Sequence, residues 1–201
     1  MTIVIGMMGP AGAGKSSIAQ HLIDKYGATR YSFAGPLKEM VGRALEFSHE
    51  QLWGTQAQKE EPDPRYGGKS ARWFLQRIGT EGCRKTFGDM FWTTQLLKRI
   101  KREAPEIAVI EDARFVNEAN AIRAFDITYA KQLQRVGFVW RLETPDRETT
   151  ADATHASERE WMDAPYDYVI APTRRGLDIL YSLVDDTMRA MGLHRKDATP
   201  L

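Results

Sequence analysis

Apolar and polar positions fall into alternating short runs of two kinds along the 201-residue chain. Thr2 to Met8 is a compact apolar run that ends at Gly9, the pattern of a buried strand. From Lys15 the spacing turns helical: Ile18, Leu22 and Ile23 share a face, and Gly27 supplies the expected terminator. A second strand is expected around Thr29 to Ala34, and Pro36 opens a helix to about Phe47, because proline suits the first helical position. Residues 54–70 are polar and rich in proline and glycine, and read as a surface loop. Helices are predicted over Ala71 to about Phe87, Asp89 to Arg102 and Val116 to Phe125, with a buried strand over Ile107 to Ile110. Phe138 to Leu142 and Tyr168 to Ala171 read as strands, and Leu177 to Met191 as a closing helix whose apolar residues recur at helical spacing. Glu143 to Glu160 is charged and Thr-rich, without a sustained apolar face.

Strands alternating with helices predict an α/β fold with a central parallel sheet. No repeat or separating linker interrupts the chain, so residues 1–201 are expected to form one domain. Ligands bind such sheets outside the carboxyl ends of the strands. Chemistry is therefore expected after Met8, Phe33, Ile110 and Leu142.

Composition narrows the function. The 28 Lys and Arg nearly balance 27 Asp and Glu, which argues against a non-specific nucleic-acid binder but leaves room for a local basic pocket. No apolar run approaches the ~20 residues of a membrane span. Cys83 stands alone, so no internal disulfide or cysteine metal cluster is expected, and it reads as a small helix residue. The opening Met-Thr-Ile-Val-Ile-Gly has no basic n-region. These features predict a cytoplasmic protein without membrane or nucleic-acid partners.

The first strand runs into Gly9-Pro10-Ala11-Gly12-Ala13-Gly14-Lys15-Ser16, which fits G-x-x-x-x-G-K-[ST] at every fixed position. Glycines let backbone N–H groups turn inward around phosphate oxygens, and the following helix presents free N–H donors to the same anion. Gly9 and the run Ala11 to Ser17, with Gly12, Ala13 and Gly14 inside it, are the expected ATP-binding residues. Lys15 should bridge the β- and γ-phosphates, and the Ser16 hydroxyl should ligate Mg²⁺. No N-K-x-D tetrad is present to read a guanine. By analogy, a compact P-loop chain of this length suits a small-molecule kinase.

Transfer to a second phosphate requires further cations. Phe33 and Lys38 follow the second strand. A lysine in a helix's first turn opposes the dipole and hints at an anion, though an ordinary exposed lysine is the other reading. Arg72, Gln76, Gly79 and Thr80 share one face of their helix and Arg84 follows a turn later. Trp92 either stacks on a base or packs in its helix. After Ile110, Asp112 is expected to orient the metal, with Glu111 as the alternative; Arg114 can reach an acceptor phosphate. Asn117 is grouped with the acceptor residues, and Glu118 favours its helix N-terminus. The stretch 143–160 is expected to form a lid, and Arg147 is its best-placed arginine; a solvated charge is the alternative.

Taken together, these pieces resemble the bacteriophage deoxynucleoside monophosphate kinases, within the P-loop nucleoside monophosphate kinase group. The resemblance rests on Gly9 to Ser16, Phe33 to Lys38, Arg72 to Glu81, Asp112 to Glu118 and His155 to Glu158, and spans about residues 3–172. It implies a three-layer P-loop kinase fold with a helical acceptor-binding section over about 36–104 and a lid. The implied reaction moves the γ-phosphate of ATP to a deoxynucleoside monophosphate with Mg²⁺, in the host cytoplasm where the gene is phage-borne. Tyr168 to Arg175 would lie near the ATP base. Two features depart from the family pattern: the extra stretch Asp126 to Val136, and the lack of an Asn-Gly pair after the last strand. Another small-molecule P-loop kinase, such as dephospho-coenzyme A kinase, and a non-kinase P-loop NTPase are the alternatives. The apolar helices between Ala71 and Arg102 leave a homodimer open.

Overall fold

A computed structural model of the chain describes residues 1–10, 12–125, 136–144 and 160–194. The expected lid, with Arg147, falls almost wholly outside the described residues, as do Ala11 and most of the extra 126–136 stretch. The chain divides into two compact units, Met1–Ser32 with Arg99–Leu201, and Phe33–Lys98. Five strands are β1 (Ile3–Met8), β2 (Thr29–Tyr31), β3 (Ile107–Ile110), β4 (Gly137–Leu142) and β5 (Tyr168–Ile170). Helices in chain order are α1 (Lys15–Tyr26), α2 (Gly35–Leu45), α3 (His49–Trp53), α4 (Gln56–Glu60), α5 (Ala71–Gln76), α6 (Lys85–Phe87), α7 (Phe91–Glu103), α8 (Val116–Arg123) and α9 (Leu177–Ala190).

The first unit holds a parallel sheet in the order β2-β3-β1-β4-β5. Period-two alternation sends Ile5 and Met7 of β1, with Val109, Trp140 and Leu142, onto one face. There they bury against Ile18 and Leu22 of α1 and Leu180, Val184 and Met188 of α9. The opposite face takes α8. A Cβ at Gly6 would stand 2.3 Å from Ile122 Cδ1, and one at Gly137 would stand 1.8 Å from the Ile122 carbonyl oxygen. The sheet thus lies between two helical layers, an α/β three-layer arrangement with the order of a P-loop kinase.

A polar cluster joins α1 to α9. The Asp185 carboxylate accepts hydrogen bonds from Lys25 Nζ and from Tyr26 Oη at 2.9 Å, and His21 Nε2 lies 2.8 Å away. The His21 ring stacks on Tyr181 with centroids 4.2 Å apart. Burial acts to raise the Asp185 pKa, but the Lys25, His21 and Tyr26 contacts outweigh it and hold the pKa at about 2.

The second unit packs Leu37, Val41, Phe47, Leu52, Ala71, Cys83 and Trp92 into its own core. Its 54–70 segment is more ordered than a surface loop. Ser48 with Gln51, and Thr55 with Gln58, form reciprocal capping boxes that start α3 and α4. Asp63 is 4% exposed and accepts from Gln51, from the Arg65 backbone and from the Arg65 guanidinium. The Arg65 side chain holds that carboxyl well below the usual carboxylate range. The helix expected over 71–87 is also not uniform. It widens into a π segment over Arg77–Arg84, with the Lys85 N–H bonding the Thr80 carbonyl five residues back.

Candidate nucleotide-binding site

β1 delivers the chain to the phosphate loop because its carboxyl end is buried between β3 and β4. Gly9 has φ 149° and a Cβ there would stand 2.6 Å from the Leu142 carbonyl oxygen, so the loop departs hard against the end of β4. Gly12 and Gly14 have φ 77° and 85°, a left-handed region costly for other residues. Gly14 caps α1 without a side-chain hydrogen bond, which leaves the first-turn N–H groups available to an anion. Lys15 Nζ bonds the Gly9 and Pro10 carbonyls, both at 2.7 Å, and so lies across the loop. Ser16 is exposed and Ser17 half-buried at the same helix start.

The β1–β3 register pairs Gly6 with Ile110, so Glu111 and Asp112 follow level with Met7 and Met8, at the root of the loop. Glu111 Oε2 is buried and has no hydrogen-bond partner among the described residues. Glu118 is a structural residue: at 3% exposure it accepts from the backbone N–H groups of Arg114 at 2.8 Å and Phe115 at 3.1 Å. It thereby fixes the turn that leaves Arg114 exposed. The Asn117 side-chain oxygen accepts from the Glu118 N–H within the first turn of α8. Lys15, Ser16, Glu111, Asp112 and Arg114 all belong to the first unit.

Of the acceptor set, Phe33, Lys38, Arg72, Gln76, Thr80, Arg84 and Trp92 belong to the second unit and Asn117 to the first. In an α-helix, residues four apart drift about 40° per step, so a row of four would wind about 120° around the axis. Hydrogen bonds of i→i+5 type widen the turn beyond four residues and reverse that drift. The row Ala71, Leu75, Gly79 and Cys83, buried except for the half-buried Leu75, therefore stays in register with the core. Arg72, Gln76, Thr80 and Arg84 form the adjacent row, one residue on. Arg72 Nη1 donates to Gln56 Oε1 at 3.0 Å, and its Nε lies 3.5 Å from Glu60 Oε1. Lys38 Nζ sits 4.0 Å over the Trp53 ring, a cation–π contact the sequence reading did not foresee.

Trp92 packs; it is not free to stack on a base. It is 5% exposed, its indole N–H donates to the Gly79 carbonyl at 3.0 Å, and Phe91 meets it edge-on. A Cβ at Gly79 would stand 2.6 Å from Leu37 Cδ2, so this glycine permits the close packing of α2 on the π segment. Phe33 is likewise buried, at 3%. Arg141 lies over the Trp161 and Tyr166 rings and 3.4 Å from Glu143. The sequence reading missed Gln56 and Glu60, although T-x-x-Q at Thr55–Gln58 is a helix-start signature that could have placed them.

Among the described residues, no group of three or more His, Cys, Asp and Glu could hold a metal ion by itself, and no helix is long and apolar enough to cross a membrane. No protein-family model matches the chain. Among solved structures it is similar to a shikimate kinase from Acinetobacter baumannii in complex with shikimate, at 14% identity and a TM-score of 0.47, covering 95% of this chain and 93% of that one. A sugar kinase from Janibacter sp. HTCC2649 gives 14% and 0.45, with 96% of each chain covered. Among curated proteins it is 26% identical over 181 residues to the "Deoxynucleoside-5'-monophosphate kinase" of Escherichia phage T5, covering 61% of this chain and 72% of that one. It is 30% identical over 196 residues to the "Putative deoxynucleotide monophosphate kinase" of Acanthamoeba polyphaga mimivirus, covering 90% of this chain and 94% of the relative. A likeness of that extent, spanning nearly all of both proteins, is one of kinship: the chain belongs to the deoxynucleoside monophosphate kinase family.

Proposed function

We propose that the protein transfers the γ-phosphate of ATP to a deoxynucleoside monophosphate, giving the diphosphate and ADP. The observation that carries this reading is the Gly9–Ser16 loop entering an uncapped helix start, with Lys15 lying across it. Lys15 leaves the two carbonyls for the β- and γ-phosphate oxygens, and the first-turn N–H groups of α1 hold the β-phosphate. Arg72, Gln76, Thr80 and Arg84 take the acceptor, with Lys38 beside Trp53 as a further cation of the same unit. A row carrying two guanidiniums suits a phosphate acceptor, whereas an alcohol acceptor would need a general base instead. Arg114 and Arg147 serve the transferring phosphoryl group, and Tyr168 to Arg175 the ATP base.

The residues fit magnesium, a cation that takes hard oxygen ligands and leans on substrate phosphates. Ser16 supplies a hydroxyl, Asp112 a carboxylate, and the partnerless Glu111 Oε2 a second one. Bound with ATP, the ion would supply charge stabilisation to the phosphates during transfer. The reading assigns the enzyme to the cytoplasm, that of an infected cell where the gene is viral, with 143–160 as a lid. Self-association would use the exposed Phe87 and Met90 of the second unit, and sedimentation decides it.

A coupled assay of ADP release across dAMP, dCMP, dGMP, dTMP and their ribose counterparts tests the reading. Release should require an acceptor and should vanish in Lys15→Ala. ATP turnover that ignores the acceptor overturns it.

A further inference from the structure

Arg72 does not stand alone on its helix. Gln56 and Glu60 are four residues apart on α4, and Gln56 Nε2 donates to Glu60 Oε1. The same Gln56 turns its Oε1 to Arg72 Nη1 at 3.0 Å, while Glu60 Oε1 lies 3.5 Å from Arg72 Nε. The three side chains close a ring in which amide, carboxylate and guanidinium each touch the other two. Amide orientation is thereby fixed, since only one end of Gln56 can donate to a carboxylate and only the other can accept from a guanidinium.

The ring costs Arg72 only part of its donor capacity. A guanidinium carries five N–H groups; Gln56 takes one on Nη1, and Glu60 faces Nε as an ion pair at 3.5 Å. Both Nη2 hydrogens and the second Nη1 hydrogen stay without a partner among the described residues, a set that can meet a phosphate through two parallel hydrogen bonds. The Arg72 and Glu60 side chains are 41% and 50% exposed, so their pairing adds little stability, and its effect is orientation.

α4 is anchored at both ends, which makes it able to orient anything. Thr55 and Gln58 cap its start reciprocally. Three residues past its end, buried Asp63 ties the chain to Gln51 and Arg65, and its backbone pairs with Lys69 just before α5. A short polar helix with no buried residue is thus held in place beside α5.

We infer that Gln56 and Glu60 are positioning residues that hold the Arg72 guanidinium ready for the phosphate of the acceptor nucleotide. This rests on the reading of Arg72 as an acceptor residue. Steady-state kinetics in the deoxynucleoside monophosphate, at saturating ATP, test it with Glu60→Gln, Gln56→Leu, Arg72→Ala and the double variant Glu60→Gln/Arg72→Ala. Glu60→Gln and Gln56→Leu should each raise the acceptor KM about tenfold, the loss of one orienting charge-assisted contact, with the ATP KM unchanged. Melting temperatures should stay within about 2 °C of the parent, as an exposed pair requires. Glu60→Gln should add nothing once Arg72 is alanine, because it acts only through that side chain. An unchanged or lowered KM in Glu60→Gln overturns the inference while Arg72→Ala still impairs acceptor use, and so do effects that multiply in the double variant. If Arg72→Ala itself leaves acceptor kinetics untouched, the assignment of Arg72 falls and the inference falls with it.

Discussion

Replacing Asp185 by asparagine should unfasten α9 from α1, the helix that begins at the phosphate loop. The carboxylate is 21% exposed and gathers Lys25, His21 and Tyr26 from one helix onto the other. Its pKa is held at about 2, against an ordinary 3.8. At 1.36 kcal/mol per pH unit, that depression corresponds to about 2 kcal/mol of stability. The sign follows from the depression: the contribution is full above pH ~4–5 and is lost as pH falls through the folded value, with about half left near pH 3. Asp185→Asn keeps the shape and removes the charge, so it should cost about 2 kcal/mol at pH 7 and lower the melting temperature by about 4–8 °C. Urea unfolding of both proteins at pH 7 and pH 3 measures this, as a drop in midpoint at unchanged slope that narrows at the lower pH. Equal midpoints at pH 7, or a difference that does not change with pH, would refute the charge-based account.

Further substitutions probe other parts of the structure. Gly12→Ala meets no atom within 4 Å and should cost only the ~1 kcal/mol of a left-handed backbone, whereas Gly9→Ala should cost more and abolish binding of an ATP analogue, since its Cβ meets the Leu142 carbonyl. Equal effects of the two would remove the steric explanation. Trp92→Phe strands the Gly79 carbonyl and should lower stability by ~1 kcal/mol while leaving the choice of base unaltered; a changed base preference would return Trp92 to the binding surface. Glu111→Gln should raise the Mg²⁺ concentration needed for analogue binding about tenfold. A shift confined to Asp112→Asn would assign the metal to Asp112 alone.

Much of the first unit was legible in the sequence. Continuous apolar runs as short as Ile3–Met8 and Ile107–Ile110 suit strands covered on both faces, and both are strands. β2 was shorter than expected, ending at Tyr31, since its pairing with β3 stops at Ile110. The second unit was harder because its short helices are set by side-chain caps rather than apolar spacing. α4 has no buried residue, so nothing periodic announced it, and Pro62 and Pro64 flank the buried Asp63, paired with a half-exposed Arg65, rather than a slack loop. The π segment left a trace that went unread: apolar or small residues at 71, 75, 79 and 83 repeat every four, a period that an α-helix cannot keep on one face. Trp92 stayed open between stacking and packing because sequence shows a ring and hides what touches it.

The most direct measurement follows the transferred phosphate itself. With ATP labelled at the γ-position and a deoxynucleoside monophosphate present, the label should appear as the β-phosphate of the deoxynucleoside diphosphate, in amounts matching the ADP formed. Label recovered only as inorganic phosphate, at a rate indifferent to the acceptor, would contradict the assignment.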